Sequence, residues 1–247
     1  MRAEQAWGAM RALPMLDFAK AFGDAPILVL APHPDDESLG CGGLIAQACA
    51  IGRPPMVAIL TDGAGSHPNS RAFPPERLRA LREQETLQAL GHLGLPGERV
   101  AFLRYPDTAA PNAGAPLHAA AARLADLIRA WECRMVVTAW RYDPHCDHEA
   151  AADIAAAACR ATIARLLAFP VWGWTLPPGQ EIEQAPFGGF RLDVSAQLDR
   201  KRAAILAHRS QHAGVITDDP GGFQMATSFI DRFLQPSETY IDVETTP

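Results

Sequence analysis

The stretch ILVLA, residues 27–31, runs without a break into PHPDDESLGCGG, residues 32–43. Five consecutive apolar residues suit a strand buried on both faces, the habit of a parallel sheet. Directly behind that strand stand a histidine, three adjacent acids (Asp35, Asp36 and Glu37) and a glycine cluster. Neighbouring carboxylates repel one another, so their placement at the end of a buried strand calls for a compensating charge.

Working outward, the same alternation recurs. MVAILT (56–61) precedes PERLRALREQETLQALGHLG (75–94), and VAFLRY (100–105) precedes LHAAAARLADLIRAWE (117–132). RMVVTAW (134–140) precedes HEAAADIAAAACRATIARLL (148–167), and LLAFPVW (166–172) comes after it. Strand–helix alternation with apolar strands predicts an α/β fold, a three-layer αβα Rossmann-like arrangement around a mainly parallel sheet. Leu78, Leu81, Leu87, Leu90 and Leu93 form the expected apolar stripe of one helix. DVSAQLDRKRAAILAHRSQ (193–211) reads as another, with Ser195 as its N-cap. Proline-rich loops fall at 106–116 and 176–186, the second read as a lid. Without an internal repeat or a break in composition, residues 1–247 are expected to form a single domain.

The bulk composition narrows the function. The 247 residues carry 22 Lys and Arg against 28 Asp and Glu, a net charge of −6. That balance disfavours nucleic acid or an anionic membrane as the main partner. No stretch approaches the roughly 20 apolar residues of a membrane span. The opening MRAEQAWGAMRALPMLDFAKAF lacks an uninterrupted apolar run, and the five cysteines contain no C-x-x-C pair. A soluble, cytoplasmic protein is the expectation.

In an open parallel sheet, ligands bind beyond the carboxyl ends of the strands. Four such ends here carry HPDDE, TDGAGSHPNSR, RYPDT and RYDPHCDHE. His33 and Asp36 can converge on one point, and a histidine from HCDH (145–148) would complete a His/Asp/His set with an open fourth position, the layout of a catalytic zinc. A dication also removes the repulsion: Asp36 binds it and Asp35 stays ionised beside it as a base. HPDDE alone reads equally well as a charged turn with a helix cap, and HCDH alone reads first as a solvated loop; together, each at a strand end, they point to a metal site. Glycines 40, 42 and 43 do not make a dinucleotide loop, because G-x-G-x-x-G needs glycine where Ile45 stands. Close helix–sheet packing explains them better.

These motifs resemble those of the PIG-L/LmbE-type zinc N-deacetylases. APHPDDE is similar to the family's first signature and DPHCDH to its second metal motif. REQETLQALGHLG and KRAAILAHRSQ resemble two further segments in the expected order, and Cys146 stands where many members have proline. The resemblance implies that His33, Asp36 and His148 bind Zn(2+). It implies Asp35 as general base, His145 as oxyanion stabiliser and proton donor, and Asp147 as the group orienting His145. The implied substrate is an N-acetylglucosamine-type amino sugar or glycoconjugate; known members often associate as trimers or hexamers, so a homo-oligomer is open.

Zinc polarises a carbonyl and makes water acidic enough to attack it, which a sluggish acetamide requires. Asp62, Arg82, Asp107 and Tyr142 are candidates for substrate binding. Asp62 and His67 read equally as a polar loop, whereas Arg82 reads first as an ion pair with Glu85 one turn on. Two other readings stand beside the deacetylase: a non-haem iron(II) oxygenase with a 2-His-1-carboxylate site, and a non-catalytic sugar-binding protein.

Overall fold

The computed structural model describes residues 1–183 and 187–245. The first helix and strand are α1 (Ala3–Ala12) and β1 (Met15–Leu16), followed by α2 (Phe18–Phe22). The alternation then begins: β2 (Ile27–Ala31), α3 (Asp36–Ala50), β3 (Met56–Thr61), α4 (Pro75–His92), β4 (Val100–Tyr105), α5 (Gly114–Ala130), β5 (Met135–Ala139), α6 (Cys146–Thr162) and β6 (Arg165–Phe169). The remaining elements are β7 (Gly189–Asp193), α7 (Leu198–Ala207), α8 (Thr227–Ile230) and β8 (Ser237–Val243).

One sheet of eight strands has the order β1-β7-β8-β6-β5-β2-β3-β4. The five strands foreseen from the alternation pair in parallel, from β4 through β6. Strand β8 is antiparallel to both β6 and β7, and it joins the parallel pair β7–β1 to the rest.

The burial pattern shows why these residues make this sheet. In β2, Ile27, Val29 and Ala31 enter one apolar cluster together with Leu44 and Ile45 of α3 and Ala204 and Ile205 of α7. Leu28 and Leu30 enter a second cluster with Leu124 of α5 and Ile154 of α6. Alternate residues thus feed opposite faces, and both faces are covered by helices. This is the three-layer αβα arrangement. No helix among the described residues is long and apolar enough to cross a membrane.

The glycine cluster of α3 serves packing, as expected. A Cβ on Gly40 would stand 2.1 Å from Cδ2 of Phe169, and one on Gly43 would stand 2.4 Å from Cγ1 of Val194. Beneath α3 lies a buried ion pair, Lys201 Nζ to Glu238 Oε1 at 2.7 Å. Glu238 also accepts from the N–H groups of Gly43 and Leu44 at 2.6 and 2.9 Å and from the Tyr240 hydroxyl at 2.7 Å. Every oxygen of that carboxylate is used, the condition under which a buried charge is tolerated.

Several details differ from what the sequence predicts. The stripe of α4 is built on Leu78, Arg82, Glu85, Thr86, Ala89 and Leu90, while Leu87 is exposed. Two charged residues occupy core-facing positions because each has a buried partner elsewhere. Ser195 does not cap α7: its hydroxyl donates to Asp193 Oδ1 at 2.7 Å and it opens a short 3₁₀ turn, so the α-helix starts three residues later. Strand β6 ends at Phe169, before Pro170. Of the stretch read as a lid, residues 184–186 lie outside the described residues, and Pro178 and Gly179 form a turn.

Gly40→Ala should lower stability by about 1–3 kcal/mol, the cost of overpacking. Combined with Phe169→Leu, it should cost less than the sum of the two single changes. Urea unfolding of the four proteins measures both quantities.

Candidate active site

Three connections at the carboxyl edge of the sheet build the site: the turn from β2 into α3, the loop after β4 and the loop from β5 into α6. In the first, Asp35 has φ 139° and ψ −29°, a conformation that residues with a Cβ rarely adopt. Such strain, of order 1–3 kcal/mol, persists only where the surroundings enforce it. Here they do. Glu37 Oε2 accepts the Asp35 N–H at 3.0 Å, while Arg82 Nη2 donates to the Pro34 carbonyl at 2.6 Å and to Asp35 Oδ2 at 3.1 Å. Arg82 Nη1 also donates to the Gly63 carbonyl at 2.9 Å. Gly63 has φ +66°, and a Cβ there would sit 2.8 Å from the same Nη1.

Asp36 opens α3. Its Oδ2 accepts the His33 N–H at 3.0 Å and lies 3.2 Å from both His33 Nδ1 and His148 Nε2. Two imidazoles and a carboxylate from segments more than a hundred residues apart therefore meet at one oxygen. The outer nitrogens of both rings are held by other carboxylates. His148 Nδ1 is 2.9 Å from Asp143 Oδ2, and His33 Nε2 is 3.0 Å from Asp147 Oδ2 and 3.4 Å from Asp107 Oδ1.

Asp143, to which the motif spacing gives no role, is the anchor of this region. Besides His148 it accepts the N–H groups of Val171, Trp172 and Gly173, at 2.9, 3.2 and 2.7 Å. The available signal is its place two residues before His145 in DPHCDH. Asp147 differs from expectation. Its carboxylate accepts from Thr108 N at 2.7 Å and Ala110 N at 3.0 Å and faces His33, not His145. Only its backbone N–H reaches His145, donating to Nδ1 at 3.2 Å. An imidazole nitrogen that accepts carries no proton, so the His145 proton resides on Nε2.

Electrostatics follow burial and partners. Burial pushes the Asp35 carboxyl up to about 7, against the pull of Arg82. Burial and the imidazoles of His33 and His148 push His145 down to about 4. Burial alone would lower His148 too, but Asp36 and Asp143 outweigh it and raise it to about 9. The carboxylates around His33 and His148 thus favour positive charge at that point.

A divalent cation fits these residues. His148 Nε2 is fully buried and makes no hydrogen bond, although Asp36 Oδ2 is close. A ring nitrogen aimed at an imidazole and a carboxylate, with its own ring fixed from behind by Asp143, is the arrangement of a metal-ligating histidine once its proton is displaced. Ligand atoms on one tetrahedral zinc stand about 3.3–3.6 Å apart, and the two 3.2 Å separations at Asp36 Oδ2 agree with that. Ring nitrogens of His33, His145 and His148 also lie within 4.8 Å of one another, as do ligand atoms of His33, Asp107, His145 and Asp147. In the latter group the carboxylates already serve backbone N–H groups, whereas His148 Nε2 has no other partner.

A cavity of about 400 Å³ opens beside these groups, lined by His33, Asp35, Asp36, Arg82, Asp107 and His145, with Trp172 and Gln211 opposite. Of the four substrate-binding candidates, Arg82 and Asp107 line it and two do not. Asp62 turns its Oδ1 to the N–H groups of Ala64 and Asp107, holding the loop. Tyr142 lies outside because its hydroxyl donates to the Glu183 carbonyl and its ring packs on Trp140. The expected Arg82–Glu85 pair is absent as well; Glu85 instead accepts from Ser210 N and Oγ at 2.8 and 2.6 Å. His208 is buried against Glu37 Oε1 at 3.1 Å, away from His33, Asp36 and His148.

A mainly parallel sheet with a His/Asp cluster beyond its strand ends defines a class, the layered α/β proteins whose sheet edge carries a cluster able to hold a metal. Residues 28–159 match the model of the GlcNAc-PI de-N-acetylase family, PIG-L. A deacetylase of Rhodococcus opacus for 1D-myo-inositol 2-acetamido-2-deoxy-α-D-glucopyranoside is 30% identical, over 82% of this chain and 85% of that protein. The chain belongs to the PIG-L family. The conserved protein TT1542 of Thermus thermophilus superposes with a TM-score of 0.64 at 26% identity, covering 90% of this chain and 96% of that one. The N,N'-diacetylchitobiose deacetylase of Pyrococcus horikoshii shares the fold with a TM-score of 0.65 at 19% identity, over 96% and 91% of the two chains.

Asp143→Ala, which frees His148, should weaken metal binding by about 10- to 100-fold. Competition with a fluorescent chelator checks this, and circular dichroism confirms that the variant is folded.

Proposed function

We propose that this protein is a zinc-dependent hydrolase that removes the acetyl group from an N-acetylglucosamine-type amino sugar or glycoconjugate, with the whole chain acting as one unit. The observation that carries the reading is the unpartnered Nε2 of His148, aimed at Asp36 and His33 beside Asp35 in a cavity of small-ligand size. The Rhodococcus relative, named for a substrate of this chemical class, supports it.

His33, Asp36 and His148 would hold the zinc. When bound there, it supplies a Lewis acid for the amide carbonyl and acidifies water. Asp35 accepts the proton of the attacking water. Its carboxylate is held by Arg82 on one side and opens to the cavity on the other, and burial brings it toward neutrality, where a general base works best. His145 offers its Nε2–H to the developing oxyanion, a role that needs a donor but not a full charge. A neutral imidazole is a poor acid, so Asp35 returns its proton to the departing amine. Asp147 positions His33, and through its backbone N–H selects the His145 tautomer. Arg82 and Asp107, which line the cavity, would contact the sugar hydroxyls. The layered α/β scaffold disfavours the oxygenase reading, whose usual scaffold is all-β.

Acetate release from a panel of N-acetylglucosaminides should stop on chelation and return with zinc. Asp35→Ala should keep its zinc, by metal analysis, yet lose about 10²- to 10⁴-fold in kcat. Normal turnover by that variant would overturn the assignment of Asp35. Zinc and sugar binding without acetate release from any member of the panel would favour the sugar-binding reading.

A further inference from the structure

A second cavity, of about 460 Å³, lies at the same edge of the sheet, between the end of β6 and the start of β8. Its floor is the Lys201–Glu238 pair, whose charges are fully used within the fold. Its rim carries three arginines, Arg11, Arg191 and Arg232. Arg191 Nε donates to the Leu13 carbonyl at 2.9 Å, and Arg232 Nη1 donates to the Trp174 carbonyl at 3.3 Å. The guanidinium of Arg11 lies 5.9 Å from the centre of the Trp174 ring. Among the described residues none of the three has a carboxylate within ion-pair distance, although acids outnumber bases 28 to 22 in the chain.

Three unneutralised guanidiniums around one hollow repel each other, and their remaining donors are those that match carboxylate and phosphate oxygens. Phe169, Trp174 and Phe233 add an apolar side to the same hollow. We propose that this cavity binds a small organic anion, a carboxylate or phosphate ester on a flat or apolar body. The site is separate from the catalytic pocket. Trp172 stacks on Phe229 at 4.6 Å, and Phe229 meets Phe233 at 5.1 Å, so an aromatic wall divides the two; Leu39 lines both. The inference stands on this cavity alone and does not depend on the deacetylase reading.

Titration calorimetry on the metal-loaded full chain tests it with phenyl phosphate, benzoate, inorganic phosphate and neutral benzamide. Phenyl phosphate or benzoate should bind and benzamide should not; whichever of the two binds more tightly identifies the preferred anionic group. Inorganic phosphate should bind more weakly than phenyl phosphate, since it gains nothing from the aromatic side. The double variant Arg11→Gln/Arg232→Gln changes two exposed side chains. It should lose about tenfold or more in affinity while melting temperature stays unchanged. Absence of anion binding, equal binding of benzamide, or affinity that survives the double variant, as an anion on the catalytic metal would show, overturns the proposal.

Discussion

One buried carboxylate holds the catalytic edge together. Asp143 accepts three successive backbone N–H groups from residues 171–173 and one from the His148 ring. Those N–H groups come just after β6, and the imidazole stands in the first turn of α6, so a single side chain ties the ends of two neighbouring strands to one ring orientation. An unpaired charge at this depth would cost several kcal/mol. Four converging donors offset that cost and leave His148 with one free nitrogen. Of the groups facing that nitrogen, His33 is held from behind by Asp147 and Asp107, and Asp36 accepts the His33 N–H, while Glu37 and Arg82 fix the turn between them. The chemistry therefore rests on side chains whose positions are set from behind before any substrate arrives.

The same economy explains the strained turn at Asp35. A relaxed backbone there would carry the carboxylate away from the ligands, and the hydrogen bonds from Arg82 and to Glu37 keep it in place. Arg82 reaches the turn because α4 presents it on the buried face, at a position an apolar side chain would otherwise fill. On α4, the charged Arg82 on the inner face marks a support of the site.

Much of this was legible in the sequence. Apolar runs identified β2 to β6, since strands covered on both faces cannot disguise their composition. That His33, Asp36 and His148 would meet was legible because few residue types fill such a cluster and the strand ends restrict place. Partner choice was not. Whether the Asp147 carboxylate turns to His145 or His33, and whether Arg82 pairs with Glu85 or Asp35, is decided by loops brought together only in the folded chain. Tyr142 comes after the right strand but faces Glu183, a matter of one backbone rotation that spacing does not encode. Strands β1, β7 and β8 escaped for another reason: two residues are too few to show a period, and SETYIDV mixes charge into a strand stabilised by distant neighbours.

The position of β8 bears on how the molecule assembles. Because residues 237–243 lie between β6 and β7, the parallel block β4-β3-β2-β5-β6 can form from sequence already available by residue 169, whereas β7 and β1 have no docking edge until β8 is in place. During synthesis the exposed side of β6 waits through some seventy residues, a span in which its unpaired backbone can recruit a foreign strand. Strand β1, although made before the parallel block, joins the sheet only through β7, once β8 has docked.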